Sequence, residues 1–262
     1  MSSAWKITSL NENNEQEFIL SIRKNKLLHI FTLFDLKNAR DKTKIWIASR
    51  NQRKGYLIQF DKKIIHTHGS NECVPKLLEK IDAHEAKFAI EPQHLDQIER
   101  LYTPTKASDA ASLGNITTYL IMNIKTQDFN PSITHQVTKV TANDLDDIFM
   151  DLGEEYGEKV QQAQSSGVAF GVHAGKRWVS VAVVPEIIEE IGFIRGVYTA
   201  PAFRGKGFST STMSALVKEL LRLRVEPGLW VAQDNAPAVR VYEKLGFKPS
   251  KNTLLGFTAK KK

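Results

Sequence analysis

One stretch constrains this chain more than any other. It runs Ile191-Gly-Phe-Ile-Arg-Gly-Val-Tyr-Thr199 and continues Ala-Pro-Ala-Phe-Arg204-Gly-Lys-Gly-Phe-Ser209-Thr210. The first nine residues are rich in β-branched and aromatic side chains and are closed by Pro201, which predicts a strand. Beyond Thr210, Met213, Leu216, Val217, Leu220 and Leu221 recur at helical spacing and predict a helix. Between strand and helix stands Arg204-Gly205-Lys206-Gly207. Free backbone N–H groups and the positive end of the helix dipole converge at such a junction, an arrangement suited to phosphate oxygens. The glycines let backbone approach an anion closely, and Arg204 and Lys206 add charge. A plain strand-to-helix turn would use the same glycines, so the loop alone leaves both readings open.

Two familiar phosphate loops do not fit. The pattern G-x-x-x-x-G-K-S/T lacks its upstream glycine here, and Gly207 follows Lys206. In G-x-G-x-x-G the third glycine position is occupied by Thr210. The pattern that fits is R-x-x-G-x-small, from Arg204 through Gly207 to Ser209. It resembles the pyrophosphate-binding loop of the GNAT superfamily of N-acetyltransferases, with serine where that family usually has glycine or alanine. A second stretch strengthens the resemblance. After the apolar run Leu229–Ala232 comes Asn235-Ala-Pro237-Ala238, then Tyr242, Gly246 and Phe247. Pro237 suits the start of a short helix and Gly246 a left-handed stop after its end. Asn235, Ala238, Tyr242, Gly246 and Phe247 match the family's N-x-x-A-x-x-x-Y-x-x-x-G-F signature, in the family's order and at its usual separation from the loop.

The whole sequence is compatible with this reading. Its 262 residues can bury one large core or two small ones. The net charge of +7 is spread over interleaved acidic and basic residues. It favours anionic partners in general, and no recognisable DNA- or RNA-binding motif accompanies it. A single cysteine, Cys73, excludes an internal disulfide. The N-terminus lacks the apolar core of a signal peptide and no apolar run is long enough to cross a bilayer, so the expected location is cytoplasmic.

In chain order, Phe18, Ile19 and Ile22 mark a first helix, and Leu27–Leu36 is apolar without a decisive period. Residues 45–48 and 55–60 predict a hairpin, 64–68 a third strand, 74–81 a short helix, 88–90 a strand, and Leu95, Ile98 and Tyr102 a helix. Residues 103–115, rich in Thr, Ser, Ala and Pro, predict a loop, and 116–124 another strand. A domain boundary is expected near Asp128-Phe-Asn-Pro131, giving domains 1–130 and 131–262. The second begins with a strand at 137–140 and two helices, at 145–152 and 155–164. A hairpin at 168–184, the anchor stretch and its helix, the strand at 229, the Tyr242 helix and a strand at 253–258 follow. The fold class is α+β with a mixed sheet. Residues 132 to 262 resemble a complete GNAT acyl-CoA N-acyltransferase fold. The first half has a loosely similar order without R-x-x-G-x-G, and resembles the degenerate half of tandem or glycine N-acyltransferase-like proteins.

The resemblance implies an acetyl-CoA-dependent N-acetyltransferase acting on a primary amine by direct transfer in a ternary complex. It places the cofactor on Val197, Tyr198 and Thr199, on Arg204, Gly205, Lys206, Gly207, Phe208, Ser209 and Thr210, and on Asn235. In the family a bulge splays the anchor strand from the next one, and a backbone N–H near Val197 or Tyr198 polarises the thioester. Tyr242 takes the position of the family's usual thiolate partner, a phenol protonated at neutral pH. Ring packing, and helix capping for Asn235, are the structural alternatives for these two. No general base is assigned: Glu190 neighbours the family's glutamate position, which falls on Ile191. His66 and His68 share one strand face as a candidate metal pair without a third ligand, so no metal is expected. A coenzyme A-binding regulator without turnover remains the alternative. Acceptor amine, acyl-chain length and oligomeric state are open.

Overall fold

The structure, a computed structural model, describes residues 4–262. The first half contains β1 (Lys6–Ser9), α1 (Glu12–Ile22), α2 (Ile30–Asn38), β2 (Thr43–Arg50), β3 (Arg53–Phe60), β4 (Ile64–Gly69), α3 (Val74–Leu78), β5 (Glu85–Ile90), α4 (Leu95–Glu99), β6 (Tyr102–Ala107) and β7 (Thr117–Asn123). The second contains β8 (Val137–Lys139), α5 (Leu145–Leu152), α6 (Glu154–Gln162), β9 (Val168–Ala174), β10 (Arg177–Val184), β11 (Ile187–Ile188), β12 (Ile191–Phe193), β13 (Arg195–Thr199), α7 (Phe208–Arg222), β14 (Glu226–Ala232), α8 (Ala236–Leu245) and β15 (Lys248–Lys261). Both halves run β-α-α, then a series of strands (three in the first, five in the second), then α-β-α-β, and the first half adds β7; the fold is mixed α+β. Packing divides the chain into two compact units. The first takes the residues up to Ile121 with Trp230–Asn235 and Ser250–Lys262, and the second takes Met122–Leu229 with Ala236–Pro249.

In the first unit β1 to β4 form an antiparallel meander, β5 joins β4 in parallel, and β15 lies antiparallel to β5. Alternation along β3–β5 sends Leu57, Ile65, Phe88 and Ile90 into one core with Val74, Leu77, Ile98, Tyr102 and Phe257. Phe88 stacks on Phe257 and meets Tyr102 edge-on, and the Tyr102 hydroxyl donates to Ala83 O. The undecided segment 27–36 resolves into α2, which buries Ile30, Leu33 and Leu36. Two expectations need correction. Tyr102 does not close a helix but opens β6, and β6 takes residues 103–107 from the expected loop. Its composition misleads because Pro104 sits beside a register break opposite β15, one of the few places where a strand tolerates proline.

In the second unit β13, β10, β9 and β8 form a four-stranded antiparallel sheet. Val181 and Val183 point from β10 into a core with Ile148, Leu152 and Val160 of α5 and α6. Ser180 points the other way, where the Thr212 hydroxyl of α7 reaches it at 3.2 Å. Helix α7 buries Met213, Leu216, Val217 and Leu220, the apolar period read from the sequence.

Candidate functional site

The continuous strand expected over Ile191–Thr199 is two strands serving two sheets. Ile191, Gly192 and Phe193 pair in parallel with Glu226, Pro227 and Gly228 of β14, and the last bond is Ile194 N–H to Gly228 O at 2.8 Å. From Arg195 onward the strand pairs with β10, with Arg195 opposite Val183, Tyr198 opposite Val181 and Thr199 opposite Ser180. Gly196 and Val197 together face Ala182, one residue more than the ladder needs, which is a β-bulge. Gly196 has φ +57, and a Cβ there would lie about 3.1–3.2 Å from Lys159 of α6 and Val183. A side chain would thus be both strained and crowded. Beyond the bulge β13 is an edge strand of its sheet. Ala200 N–H donates to Val179 O, so alternation turns the N–H and C=O of Thr199, and of Val197 two residues earlier, away from β10. Thr199 O accepts from Arg204 Nε at 3.0 Å.

The strand ends at Pro201 and the chain turns through Phe203 into the glycine loop. Gly205 and Gly207 have φ +75 and +84, a region that side chains disfavour. Gly207 is the N-cap of α7 and no side chain caps the helix. The N–H groups of Phe208, Ser209 and Thr210 therefore lie in a first turn without intrahelical acceptors. No acidic residue stands in that turn, and Arg204 and Lys206 are exposed beside it. Phe208 is held between His135, stacked at 4.0 Å, and Phe203, edge-on at 5.8 Å. A buried hydroxyl chain ties this helix start to the strand: Thr212 donates to Ser180, which lies 2.9 Å from Thr199 Oγ1 and donates to Tyr198 O. The Tyr198 ring stacks on Tyr156 of α6 at 3.9 Å, and Lys159 Nζ lies over Tyr156.

Tyr242 lies in α8, buried, with its ring 5.8 Å from Phe247. Pro237 is the second residue of α8, and Gly246, φ +102, ends it. The second unit therefore gathers Val197, Tyr198, Thr199, Arg204 to Thr210 and Tyr242 into one body. Asn235 belongs to the first unit, where its N–H donates to Ala232 O. Glu190 sits in the two-residue turn between β11 and β12 with φ +69. Residues that sequence reasoning passed over are Gly196, His135, Ser180, Ser211 and Thr212. Gly196 carried a signal, an isolated glycine inside a strand pattern. The hydroxyls sit on a helix and strand whose periodic apolar residues carried all the attention.

The histidine pair of the sequence lies in the first unit, inside a buried polar cluster. His68 stacks on Tyr56 at 4.9 Å and meets His29 edge-on at 4.6 Å, with His66 6.4 Å away. His68 Nδ1 donates to Glu91 Oε1 at 3.2 Å, and its buried Nε2 has no hydrogen-bond partner. Tyr56 Oη lies 2.5 Å from His29 Nδ1. Burial, followed by the neighbouring imidazoles, pulls His29 and His66 down to about 3. Although burial opposes it, the bond from His68 helps bring Glu91 down to about 2. Burial also pushes the Cys73 thiol up to about 11. Among the described residues no group of three or more His, Cys, Asp or Glu has the geometry to hold a metal ion, and no helix is long and apolar enough to cross a membrane.

Residues 177–255 match the family described as FR47-like protein. A search of curated protein sequences finds no match. Among solved structures the chain is similar to a GNAT-family acetyltransferase from Colwellia psychrerythraea, with a TM-score of 0.61 and 10% identity over 97% of this chain and 100% of that one. It is also similar to a Drosophila protein solved by structural genomics (TM-score 0.63, 10% identity, 96% and 98% covered). A GCN5-related N-acetyltransferase from Sphaerobacter thermophilus gives a TM-score of 0.59 at 13% identity, with 83% and 80% covered. At these identities the structural likeness speaks to fold. The chain has the GNAT-family acetyltransferase fold across both of its halves, with an FR47-like domain over residues 177–255.

Proposed function

We propose that the chain is an N-acetyltransferase that moves an acetyl group from acetyl-CoA to a primary amine by direct transfer in a ternary complex. The observation that carries this reading is the split of the anchor stretch at Ile194, which frees one edge of β13 immediately before a glycine loop and an uncapped helix N-terminus. The pyrophosphate lies on the N–H groups from Gly205 to Thr210, with Arg204 and Lys206 supplying charge. The pantetheine arm adds to the free edge of β13 as an extra strand, through the outward N–H and C=O of Val197 and Thr199. That places the thioester near the bulge, where the outward backbone N–H of Val197, on the family's pattern, polarises its carbonyl as an oxyanion donor; the N–H of Tyr198 faces β10 instead.

The amine attacks the carbonyl carbon, the C–S bond breaks, and the thiolate takes a proton from the Tyr242 hydroxyl; the proton lost by the amine nitrogen passes to water and, through solvent, restores the Tyr242 phenol. The reading is tested by a thiol-release assay with acetyl-CoA and longer acyl donors across a panel of amines, amino acids and peptide N-termini. Acetyl-CoA-dependent release with at least one amine is expected. Tight coenzyme A binding with no turnover across the panel would instead favour a binding protein without catalysis.

A further inference from the structure

Residues 132–135 cross the start of α7 as a strap held by two fully buried serines of that helix. Ser132 N–H donates to Ser214 Oγ at 2.9 Å, and Thr134 and His135 N–H both donate to Ser211 Oγ, at 2.9 and 3.2 Å. The strap delivers the His135 ring to the face of Phe208, 4.0 Å away and within 16° of parallel. From there His135 Nε2 lies 2.7 Å from Lys206 O. A carbonyl only accepts, so Nε2 carries the proton and donates.

This bond sets the orientation of one peptide plane. The Lys206–Gly207 peptide is planar and trans, so the Gly207 N–H points opposite to the Lys206 carbonyl. With the carbonyl drawn to His135, the N–H of Gly207 faces away from the strap. On one side that plane is bounded by the φ of Gly207, +84, and glycine passes readily between conformations, so a side-chain bond to the carbonyl has an orientation to hold. The neighbouring N–H groups of Phe208, Ser209 and Thr210 are fixed by the helix; that of Gly207 is fixed by His135.

We propose that His135 is a positioning residue of the diphosphate cradle: by holding the Lys206 carbonyl it presents the Gly207 N–H to the pyrophosphate of the acyl donor. The inference rests on the coenzyme A reading given above and adds to it a residue outside the loop. His135→Phe keeps an aromatic ring on Phe208 and deletes the donor; His135→Gln restores an N–H donor of similar reach. Calorimetric titration with coenzyme A and with acetyl-pantetheine, which lacks the pyrophosphate, separates the roles. The Phe variant is expected to weaken coenzyme A binding about fivefold, the size of one lost neutral hydrogen bond. Binding of acetyl-pantetheine should not change, and the Gln variant should return coenzyme A binding to within about twofold of the parent. In steady state the loss falls on KM for the acyl donor and not on kcat. Unchanged coenzyme A affinity in the Phe variant overturns the proposal and leaves the cofactor reading standing. An equal loss in the Phe and Gln variants, or an equal loss for acetyl-pantetheine, also overturns it, because the donor would not be the cause. If the parent protein binds no coenzyme A, both readings fall together.

Discussion

Acidification from pH 7 to pH 5 is expected to weaken the first unit, and the buried histidines set the size of the effect. His29 and His66 sit at about 3 in the fold, against 6.5 for an exposed imidazole. Between those values the unfolded chain binds two protons that the folded chain does not, so stability is complete above pH 6.5 and is lost as pH falls toward 3. The linkage relation gives a loss of about 2 kcal/mol for each of the two between pH 7 and 5. His94, lowered by burial, acts in the same direction, while Glu91, held at about 2, contributes only below its ordinary value of 4.5. Asp35 opposes them. Burial raises it to about 7 from 3.8, so here the folded chain binds the extra proton and gains about 2 kcal/mol over the same interval. The net loss is about 2 kcal/mol, and Asp35→Asn, which removes the opposing proton, should deepen it to about 4 kcal/mol. Urea-dependent hydrogen exchange of β3 and β4 peptides, corrected for intrinsic exchange rates, reads this unit alone. A free energy of opening that is flat or rises from pH 7 to 5 in both proteins would refute the argument, since burial would then not be keeping these imidazoles neutral.

Three further outcomes concern the proposed donor site. Coenzyme A should raise the melting temperature of the protein by mass action, and Gly207→Val should abolish the shift while the fold persists. A β-branched residue at φ +84 costs on the order of 1–2 kcal/mol, and its Cβ meets only ordinary contacts, Thr134 Oγ1 at 3.4 Å and His135 Nε2 at 3.7 Å. Equal shifts in both proteins would remove the loop from the site. Tyr242→Phe keeps the ring beside Phe247 and deletes the hydroxyl; kcat should drop about 10²–10⁴-fold with coenzyme A affinity unchanged, and an undiminished kcat would reduce Tyr242 to packing. Titration calorimetry should return one coenzyme A per chain, and two equivalent sites would contradict the reading that only the second half keeps a loop.

Much of the second half was legible because its signals are local. Glycines at a turn, a helical period and a left-handed stop at Gly246 depend on a few adjacent residues. Gly246 also shows why that stop tolerates no side chain: a Cβ there would lie 1.9 Å from Asp128 O. The split at Ile194 was not legible in the same way. Gly196 hinted at a bulge within residues 191–199, but what divides them is pairing with β14 on one side and β10 on the other, partners that local pattern does not reveal. Strand β6 was hidden by Thr, Ser and Pro for the same reason, since β15, about 150 residues further on, supplies its ladder. His135 had no periodic signal at all. Its place comes from the buried hydroxyls of Ser211 and Ser214, and a serine inside an apolar helix period looks from sequence like dilution of the core rather than a tether for another segment.

The two halves show how few elements separate the proposed donor site from its counterpart in the first half. In the first unit β4 and β5 stay paired in parallel from Ile64 and Lys87 to Thr67 and Ile90. No bulge turns the strand away, so no edge opens. The turn that follows carries an acid where the second half has bases: Glu72 is bound by both Arg50 and Arg53. The helix it enters, α3, has only five residues, too few for a dipole of consequence. Cys73 closes the space, with its thiol donating to Ser70 O and its sulfur so near Gly55 that a Cβ there would lie 2.4 Å away. None of these differences touches the meander, the parallel crossover or the aromatic core of Phe88, Tyr102 and Phe257 that stabilise the unit. The residues that stabilise the first unit are therefore not the ones at which it departs from the proposed donor site. The first half keeps the order of elements because its core requires it, while the loop and the bulge, which the core does not require, are free to change.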